Sequence, residues 1–189
     1  KLERVTANTA INAEVTKNKT YTVTFMTNGT IYQTQQVEFN HKATQPVDPK
    51  VEGFTFGGWY KNTGWTDADK WDFSTPITDN TTLNAKLTPI EPVITWPTTT
   101  TGYTIEVKGT KSGETAESTL ASGDKVAYGS TVTFTITIND GYDASKMQVG
   151  VNGVLLAPKS IVDNVYTFEF IAKQDTEAIS VTGVERKTV

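Results

Sequence analysis

The stretch that decides the fold reads GFTFGGWYKNTGWTDADKWDF (residues 53–73), and it holds three of the four tryptophans of this 189-residue chain. Aromatic residues stand at both of its ends, and a polar insert, NTGWTDAD (62–69), lies between them. Alternating apolar residues predict a strand whose side chains reach a core. We therefore expect the aromatic ends to be architecture, formed by Phe54, Phe56, Trp59, Tyr60, Trp71 and Phe73, and any functional patch to lie in the insert.

Composition narrows the class of protein. Hydrophobic residues make up 37% and charged residues 20% of the chain, as in a globular protein. The net charge is −4 and Lys and Arg form no run, so no nucleic-acid partner is expected. There is no cysteine, and the longest apolar run is too short to be embedded in a membrane. No metal or cofactor site is predicted.

Threonine alternates with β-branched and aromatic residues in several segments, as in TVTFTITI (131–138). A period of two predicts strands, and no window carries a helical stripe over three turns. The chain is thus predicted to be mainly β. The predicted strands are 21–27, 31–39, 54–61, 82–88, 103–109, 115–121, 131–138, 147–151, 154–157, 165–171 and 178–184.

Two features organise the chain. The stretch PIEPVITWPTTTTG (89–102) contains three prolines, which predicts a stiff linker over 89–101 between domains at 21–88 and 102–189. Residues 5–16 (VTANTAINAEVT) match residues 77–88 (ITDNTTLNAKLT) at half of the positions without a gap. We interpret residues 1–20 as the tail strand of a preceding repeat, cut from a tandem array.

The first domain resembles the Listeria–Bacteroides repeat, the B-repeat of internalin-type surface proteins. The resemblance rests on these segments: YTVTF (21–25), Asn28-Gly29, GFTF (53–56), GWY (58–60), WDF (71–73) and TTLNAK (81–86). It implies a small β-grasp-like fold, used as a non-catalytic repeat in extracellular or envelope proteins. The second domain resembles a divergent repeat or a small Ig-like sandwich from the same kind of protein.

The candidate binding residues lie in the insert and in the linker. Trp65 and Trp96 are candidate stacking surfaces for a sugar or a partner side chain, with Asp67 and Asp69 beside the first. The alternative is that Trp65 folds back over the repeat and that Trp96 packs at the joint between domains. Asp67, Asp69 and Asp72 are also candidates for a calcium loop or a hydrolase pair, but their spacing fits neither well.

The leading hypothesis is a non-catalytic, monomeric cell-surface module that acts as a spacer and as a protein-interaction or adhesion unit. Its partner would be a host or bacterial surface protein or a glycan. The alternative is a carbohydrate-binding module that uses Trp65 or Trp96. An enzyme ranks last, because the single histidine, His41, lies in a polar turn and no cysteine is present.

Overall fold

The computed structural model describes residues 18–188, so the predicted tail strand over 1–20 lies almost wholly outside the described residues. The described chain is built from fifteen strands and one turn of 3-10 helix, Asp67–Asp69. The prediction of a mainly β protein is confirmed. No described helix is long and apolar enough to cross a membrane.

The described chain divides into two compact units. The first takes the residues up to Pro49 together with Gly57–Lys86, and the second takes Lys50–Phe56 and the chain from Leu87 onward. The first contains most of a four-stranded sheet formed by β1 (Thr20–Thr27), β2 (Thr30–Glu38), β3 (Phe54–Tyr60) and β4 (Thr81–Pro89). The strand order is β2-β1-β4-β3. β1 pairs with β2 in the antiparallel sense and with β4 in the parallel sense.

The core of this unit forms where the buried faces of β1 and β4 meet the aromatic segments. Val23, Phe25 and Leu83 are fully buried. The Phe25 ring meets the edge of Trp59 at a centroid distance of 4.9 Å and stacks with Phe73 at 6.3 Å. Large buried aromatic surfaces of this kind supply most of the apolar burial that a small domain has available.

Only some of the aromatic residues that were predicted to form the core are buried in the structure. Trp59, Tyr60 and Trp71 are buried, with 2%, 4% and 9% of their surface exposed. Phe56 and Phe73 are half-buried. The expectation for Phe54 is wrong, because this residue is 38% exposed. Phe54 is the first residue of β3 and lies at the opposite end of that strand from Trp59, whose ring packs on Phe25 in the core.

The second unit carries two larger sheets and a short ribbon. Its strands are β5 (Val93–Thr95), β6 (Tyr103–Thr110), β7 (Glu117–Thr119), β8 (Thr131–Ile138), β9 (Tyr142–Asp143), β10 (Gln148–Val151), β11 (Val154–Leu155), β12 (Ser160–Val162), β13 (Val165–Ile171), β14 (Thr176–Thr182) and β15 (Glu185–Arg186). One sheet has the order β11-β10-β14-β5 and the other β12-β13-β8-β6-β7, and β15 pairs with β9.

These two sheets enclose one hydrophobic core, as in a sandwich. β8 shows the predicted alternation: its valine, phenylalanine and isoleucines are buried and its threonines lie nearer the surface. The ring of Phe134 stacks on that of Phe168 at 5.1 Å. From the other sheet, Ile94, Val149 and Ile179 join the same buried cluster.

The stretch predicted as a linker contains a strand. Val93–Thr95 forms β5 and pairs in parallel with residues 176–178 of β14. Pro92 and Pro97 flank the strand rather than interrupt it, and β5 is the last strand of its sheet, where prolines at the ends remove no ladder hydrogen bond. The prediction that prolines keep the whole of 89–101 outside a sheet was therefore wrong.

The two predicted Asn-Gly hairpins are confirmed. Asn28 and Gly29 have φ of 49° and 74°, and Asn152 and Gly153 have 50° and 80°. Positive φ at both central residues is what a type I′ turn requires, and it matches the twist of the flanking strands. The longer strands lie within two residues of their predicted bounds, whereas the short strands β5, β9, β12 and β15 were not predicted.

Candidate functional site

The polar insert forms a loop that is closed at its base. Tyr60 and Lys70 make an isolated antiparallel bridge. The amide of Lys61 donates to the carbonyl of Asp69 at 2.9 Å, and the amide of Trp71 donates to the carbonyl of Trp59 at 2.8 Å. The backbone therefore holds the two ends of the insert together, and brings Trp71 against the end of β3.

Asp69 organises the interior of this loop. One carboxylate oxygen accepts a hydrogen bond from the Asn62 amide at 2.7 Å, and the other accepts a short one from the Thr66 hydroxyl. The Asn62 side chain in turn accepts from the amide of Gly64 at 3.1 Å. Both oxygens of Asp69 are thus engaged in the loop itself, as is usual for Asp and Asn in turns.

Trp65 packs back onto the repeat. Its ring meets that of Tyr60 edge to face, with centroids 5.5 Å apart and planes at 88°. Its side chain is half-buried, and its backbone has a φ of 54°, which a bulky residue rarely adopts. This contact is the alternative that the sequence had left open for Trp65.

The three aspartates do not gather around a common point. Asp67 is exposed at the start of the 3-10 turn. Asp72 accepts hydrogen bonds from the amide of Ser74 at 2.8 Å and from its hydroxyl at 2.6 Å. These bonds hold the pKa of Asp72 below its usual value. Within residues 18–188, no group of three or more His, Cys, Asp or Glu side chains could hold a metal ion.

Trp96 lies at the end of β5 and is half-buried against the core of the second unit. Its amide donates to the Ser122 hydroxyl at 3.1 Å, and that hydroxyl donates back to the Trp96 carbonyl at 3.3 Å. The indole is therefore packed on the core of its own unit, which agrees with the packed alternative for Trp96 and not with an exposed stacking platform.

His41 lines a shallow, polar surface groove beside β2, with Gln35 and Lys42 among its neighbours. Its Nδ1 atom lies 3.3 Å from the Phe39 carbonyl and 4.0 Å from a Glu38 oxygen. The side chain of Gln35 exchanges two hydrogen bonds with the backbone of Thr44, at 2.7 and 2.9 Å. This pair ties the segment after β2 to the strand and closes one wall of the groove.

A buried polar cluster in the second unit was not anticipated. Glu177 is 4% exposed, and one of its carboxylate oxygens accepts from the amides of Lys173 and Gln174 at 2.8 and 2.9 Å. The other accepts from the Asn152 side chain at 2.8 Å. The Asn152 side chain also donates to the Thr176 carbonyl at 2.9 Å and accepts from the Ala178 amide at 2.8 Å. The signal in the sequence was Asn152-Gly153, which indicated a turn but gave no sign of the carboxylate beside it.

The comparisons with known proteins address the first unit. The sequence model of the Listeria–Bacteroides repeat domain matches residues 21–86. Residues 21–86 are a Listeria–Bacteroides repeat. In this repeat Trp59, Tyr60 and Trp71 are buried, so most of the aromatic residues of the segment 53–73 are structural.

Longer proteins contain similar segments. A “Putative Gly-rich membrane protein” of Evansella cellulosilytica is 40% identical over 68 residues, which are 35% of this chain and 8% of that protein. A “Putative membrane protein” of the same organism is 43% identical over 68 residues, 10% of its length. Internalin H of Listeria monocytogenes is 39% identical over 87 residues, 41% of this chain and 15% of that protein. The matched part of the chain is thus a small share of each relative.

Proposed function

We propose that the chain is a non-catalytic module of a bacterial cell-surface protein, in which it acts as a spacer and as a protein-interaction or adhesion unit. The observation that carries the proposal is the repeat over residues 21–86. The names of the relatives, two membrane proteins and an internalin, support the surface setting. Each relative is far longer than the matched segment, which fits one module among several.

The proposed organisation is a tandem array. Residues 5–16 resemble residues 77–88, which end the repeat, and this supports a second copy upstream. We place one domain at 21–88 and a sandwich domain after it, a divergent repeat or Ig-like module. In this organisation the sandwich starts with β5 at Val93 and not at residue 102.

The contacts of the insert and of Trp96 favour a structural role for these side chains over ligand binding. Asp69 is engaged within its loop, Trp65 packs on Tyr60, and Trp96 packs on the core of its own unit. Glycan binding by Trp65 or Trp96 stays a prediction that no contact favours. The partner we propose is a protein on the host or bacterial surface, bound by a monomer.

Cell-surface labelling tests the proposed setting. An epitope tag is placed at Gly113, an exposed turn residue whose Cβ position has open space around it, in the full-length surface protein. We expect an antibody to label intact cells as strongly as permeabilised cells. Labelling that requires permeabilisation would exclude a surface module.

A replacement experiment separates a spacer from a binding unit. Residues 21–88 are exchanged for an unrelated β domain of the same length, and adhesion to host cells and surface labelling are measured. A spacer predicts that both are retained, and a binding unit predicts that adhesion falls while labelling persists. The matched control deletes 21–88, which shortens the protein and should reduce adhesion in either case. Unchanged adhesion in both variants would contradict the proposal.

A further inference from the structure

In each unit, an early strand and a late strand lie side by side and point the same way. β1 and β4 are paired from Val23 with Thr81 to Met26 with Asn84. β5 and β14 are paired from Val93 with Thr176 to Thr95 with Ala178. Because the strands are parallel, the chain enters at one end of the ladder and leaves at the other. Tension along the chain therefore pulls the two strands in opposite directions along their length.

This geometry strains the ladder hydrogen bonds together. Interstrand hydrogen bonds run across the strands, so sliding one strand past the other loads all of them at once, whereas peeling from one end breaks them in turn. Forced unfolding is governed by the unfolding rate and not by equilibrium stability alone. We propose that both units are mechanical modules that resist tensile load passed along the chain. The resistance follows from the topology, and its use by the cell rests on the spacer function proposed above.

The first unit adds one side-chain bond to its ladder. The amide of Thr22 donates to the Asn80 side chain at 2.9 Å, one position before the first paired residues of the parallel ladder. Val23, Phe25 and Leu83 are fully buried along the same ladder, so water has little access to hydrogen bonds that start to open. β1 is also held on its other flank by the full length of β2.

β5 of the second unit is short but is bonded on both flanks. On one side, the Val93 amide donates to the Asp175 carbonyl at 3.0 Å. On the other side, the Ile94 amide donates to the Asp124 carbonyl at 2.9 Å, and the Ile94 carbonyl accepts from the Gly123 amide at 2.8 Å. Ile94 itself is fully buried. Extraction of this strand thus requires two sets of hydrogen bonds and an apolar anchor to fail together.

β14 is fixed on the flank that faces away from β5. The three residues that pair with β5 are Thr176, Glu177 and Ala178, and the Asn152 side chain bonds to all three. The Asn152 amide also donates to the Ala178 carbonyl at 2.9 Å. We call this contact the Asn152 latch. It ties the loaded part of β14 to the turn after β10, so β14 resists sliding with the rest of its sheet.

One element lies outside the loaded ladder. β15 follows β14 and makes a two-residue ribbon with β9, and all of its residues are exposed. Tension from the C-terminal side reaches this ribbon before it reaches β14. We expect β15 to detach at low force as a short first extension, after which β14 carries the load.

The absence of cysteine allows the direction of pulling to be chosen. Handles on Glu91→Cys and Thr182→Cys load β5 and β14 in shear. Handles on Thr98→Cys and Thr182→Cys pull the same ends of both strands and peel them apart. This second variant also carries Glu91→Ala, so that both variants lack the Glu91 carboxylate. For the first unit, Thr20→Cys with Thr88→Cys in a chain that also carries Thr30→Ala gives shear. Thr30→Cys with Thr88→Cys in a chain that also carries Thr20→Ala gives peeling, so both variants lack the Thr30 hydroxyl that donates to the Thr27 carbonyl. All six positions are exposed.

Single-molecule force spectroscopy at one loading rate gives the comparison. We expect a several-fold higher unfolding force in shear than in peeling for each unit, although chemical denaturation of the paired variants gives the same free energy of unfolding. Equal forces in the two directions would overturn the proposal. If a cysteine variant does not fold, the unsubstituted chain is pulled between terminal peptide handles, and low-force unfolding of both units would overturn the proposal as well. Loss of adhesion in the replacement experiment does not bear on these forces, so the two proposals can fail separately.

Discussion

The two units share one strand arrangement and stabilise it by different interactions. Each pairs an early strand with a late one in parallel, β1 with β4 and β5 with β14. In the first unit the pair lies in the middle of its sheet, and aromatic packing and one exposed side-chain bond support it. In the second the early strand is an edge strand of three residues, and a buried carboxylate and the Asn152 latch support it.

The difference shows how position in a sheet changes what a strand needs. A central strand receives ladder hydrogen bonds from two neighbours and burial from the core. A short edge strand receives a ladder on one flank, so turns and side chains must supply the other. In the second unit the backbone of Gly123 and Asp124 bonds the free flank of β5. Its partner β14 is held on the flank that faces away from β5, where the Glu177 carboxylate accepts from two backbone amides and from the side-chain amide of Asn152.

Core truncation should have the largest effect in either unit. Replacing a buried large aromatic residue by alanine costs about 3–5 kcal/mol, because apolar contact is lost and a cavity remains. We expect Trp59→Ala to lower the protection of β1 and β4 amides against hydrogen exchange, and Phe134→Ala to lower that of β8 and β13. If either variant lowered amide protection equally in both units, the two units would share a single cooperative core and the contrast between them would be wrong.

Loss of the side-chain hydrogen bonds that support each parallel ladder should have the next largest effect, and it should destabilise the second unit more than the first. Asn152→Ala removes the latch and leaves one oxygen of buried Glu177 without its partner, which costs about 1–3 kcal/mol. Asn80→Ala, its counterpart in the first unit, removes a single exposed bond and should cost less. Urea denaturation of the full chain gives both free energies. A larger loss for Asn80→Ala would reverse the contrast that we draw between the units.

A charge introduced beside Glu177 tests whether the Asn152 latch depends on the neutral amide. Asn152→Asp keeps the size of the side chain but places a second carboxylate at the position 2.8 Å from Glu177. We expect it to be more destabilising than Asn152→Ala at neutral pH and less so in acid, because protonation of either carboxyl removes the repulsion. A pH-independent loss would show that the amide acts only through its shape.

Trp65 should contribute a smaller amount to the first unit. Its edge-to-face contact with Tyr60 predicts a loss of about 0.5–1.5 kcal/mol in Trp65→Ala, beyond the loss of buried area. Trp65→Phe keeps a ring at the contact and is the matched control. A polysaccharide panel provides the second measurement: we expect no binding that depends on Trp65. Binding that is lost in both variants without a change in stability would favour the glycan hypothesis.

Acid sensitivity should differ least between the units, because the first unit also holds a carboxyl with a lowered pKa, that of Asp72. Lys111 and the Ala121 amide hold the pKa of Asp124 below its usual value, and the Ser145 hydroxyl and amide do the same for Asp143. A lowered pKa adds stability above the ordinary aspartate pKa, about 3.9, and that stability is lost as the pH falls through the folded value. We therefore expect the stability of the second unit to fall below about pH 4, and Asp124→Asn to flatten that fall. A pH profile that Asp124→Asn leaves unchanged would show that the turn at Asp124 does not depend on its charge.

Much of the fold could be predicted because local chemistry specified it. Alternation in TVTFTITI predicted β8, and Asn28-Gly29 and Asn152-Gly153 predicted hairpins whose φ values the structure confirms. β5 was missed because its three residues are too few for a pattern and prolines stand on either side. Phe54 looked like a core residue because alternation identifies the face of a strand but not how far the core extends along it.

The candidate site was less predictable, since side-chain hydrogen bonds depend on tertiary contacts. Nothing in NTGWTDAD shows that Asp69 is bonded on both oxygens while Asp67 is exposed. The Asn152 latch joins residues about 25 positions apart, and only the fold brings them together.

The stretch PVITWP (92–97) contains β5, a strand of the second unit, where the prolines had predicted a linker. Amide hydrogen exchange measured by NMR tests whether this strand forms, because three amides of the stretch donate hydrogen bonds: Val93 to the Asp175 carbonyl, Ile94 to the Asp124 carbonyl and Trp96 to the Ser122 hydroxyl. We predict that the Val93 and Ile94 amides are protected against exchange as strongly as the amides of β14. We also predict that Asn152→Ala lowers this protection. Exchange of both amides at the rate of an unstructured peptide would contradict the shared strand arrangement of the two units.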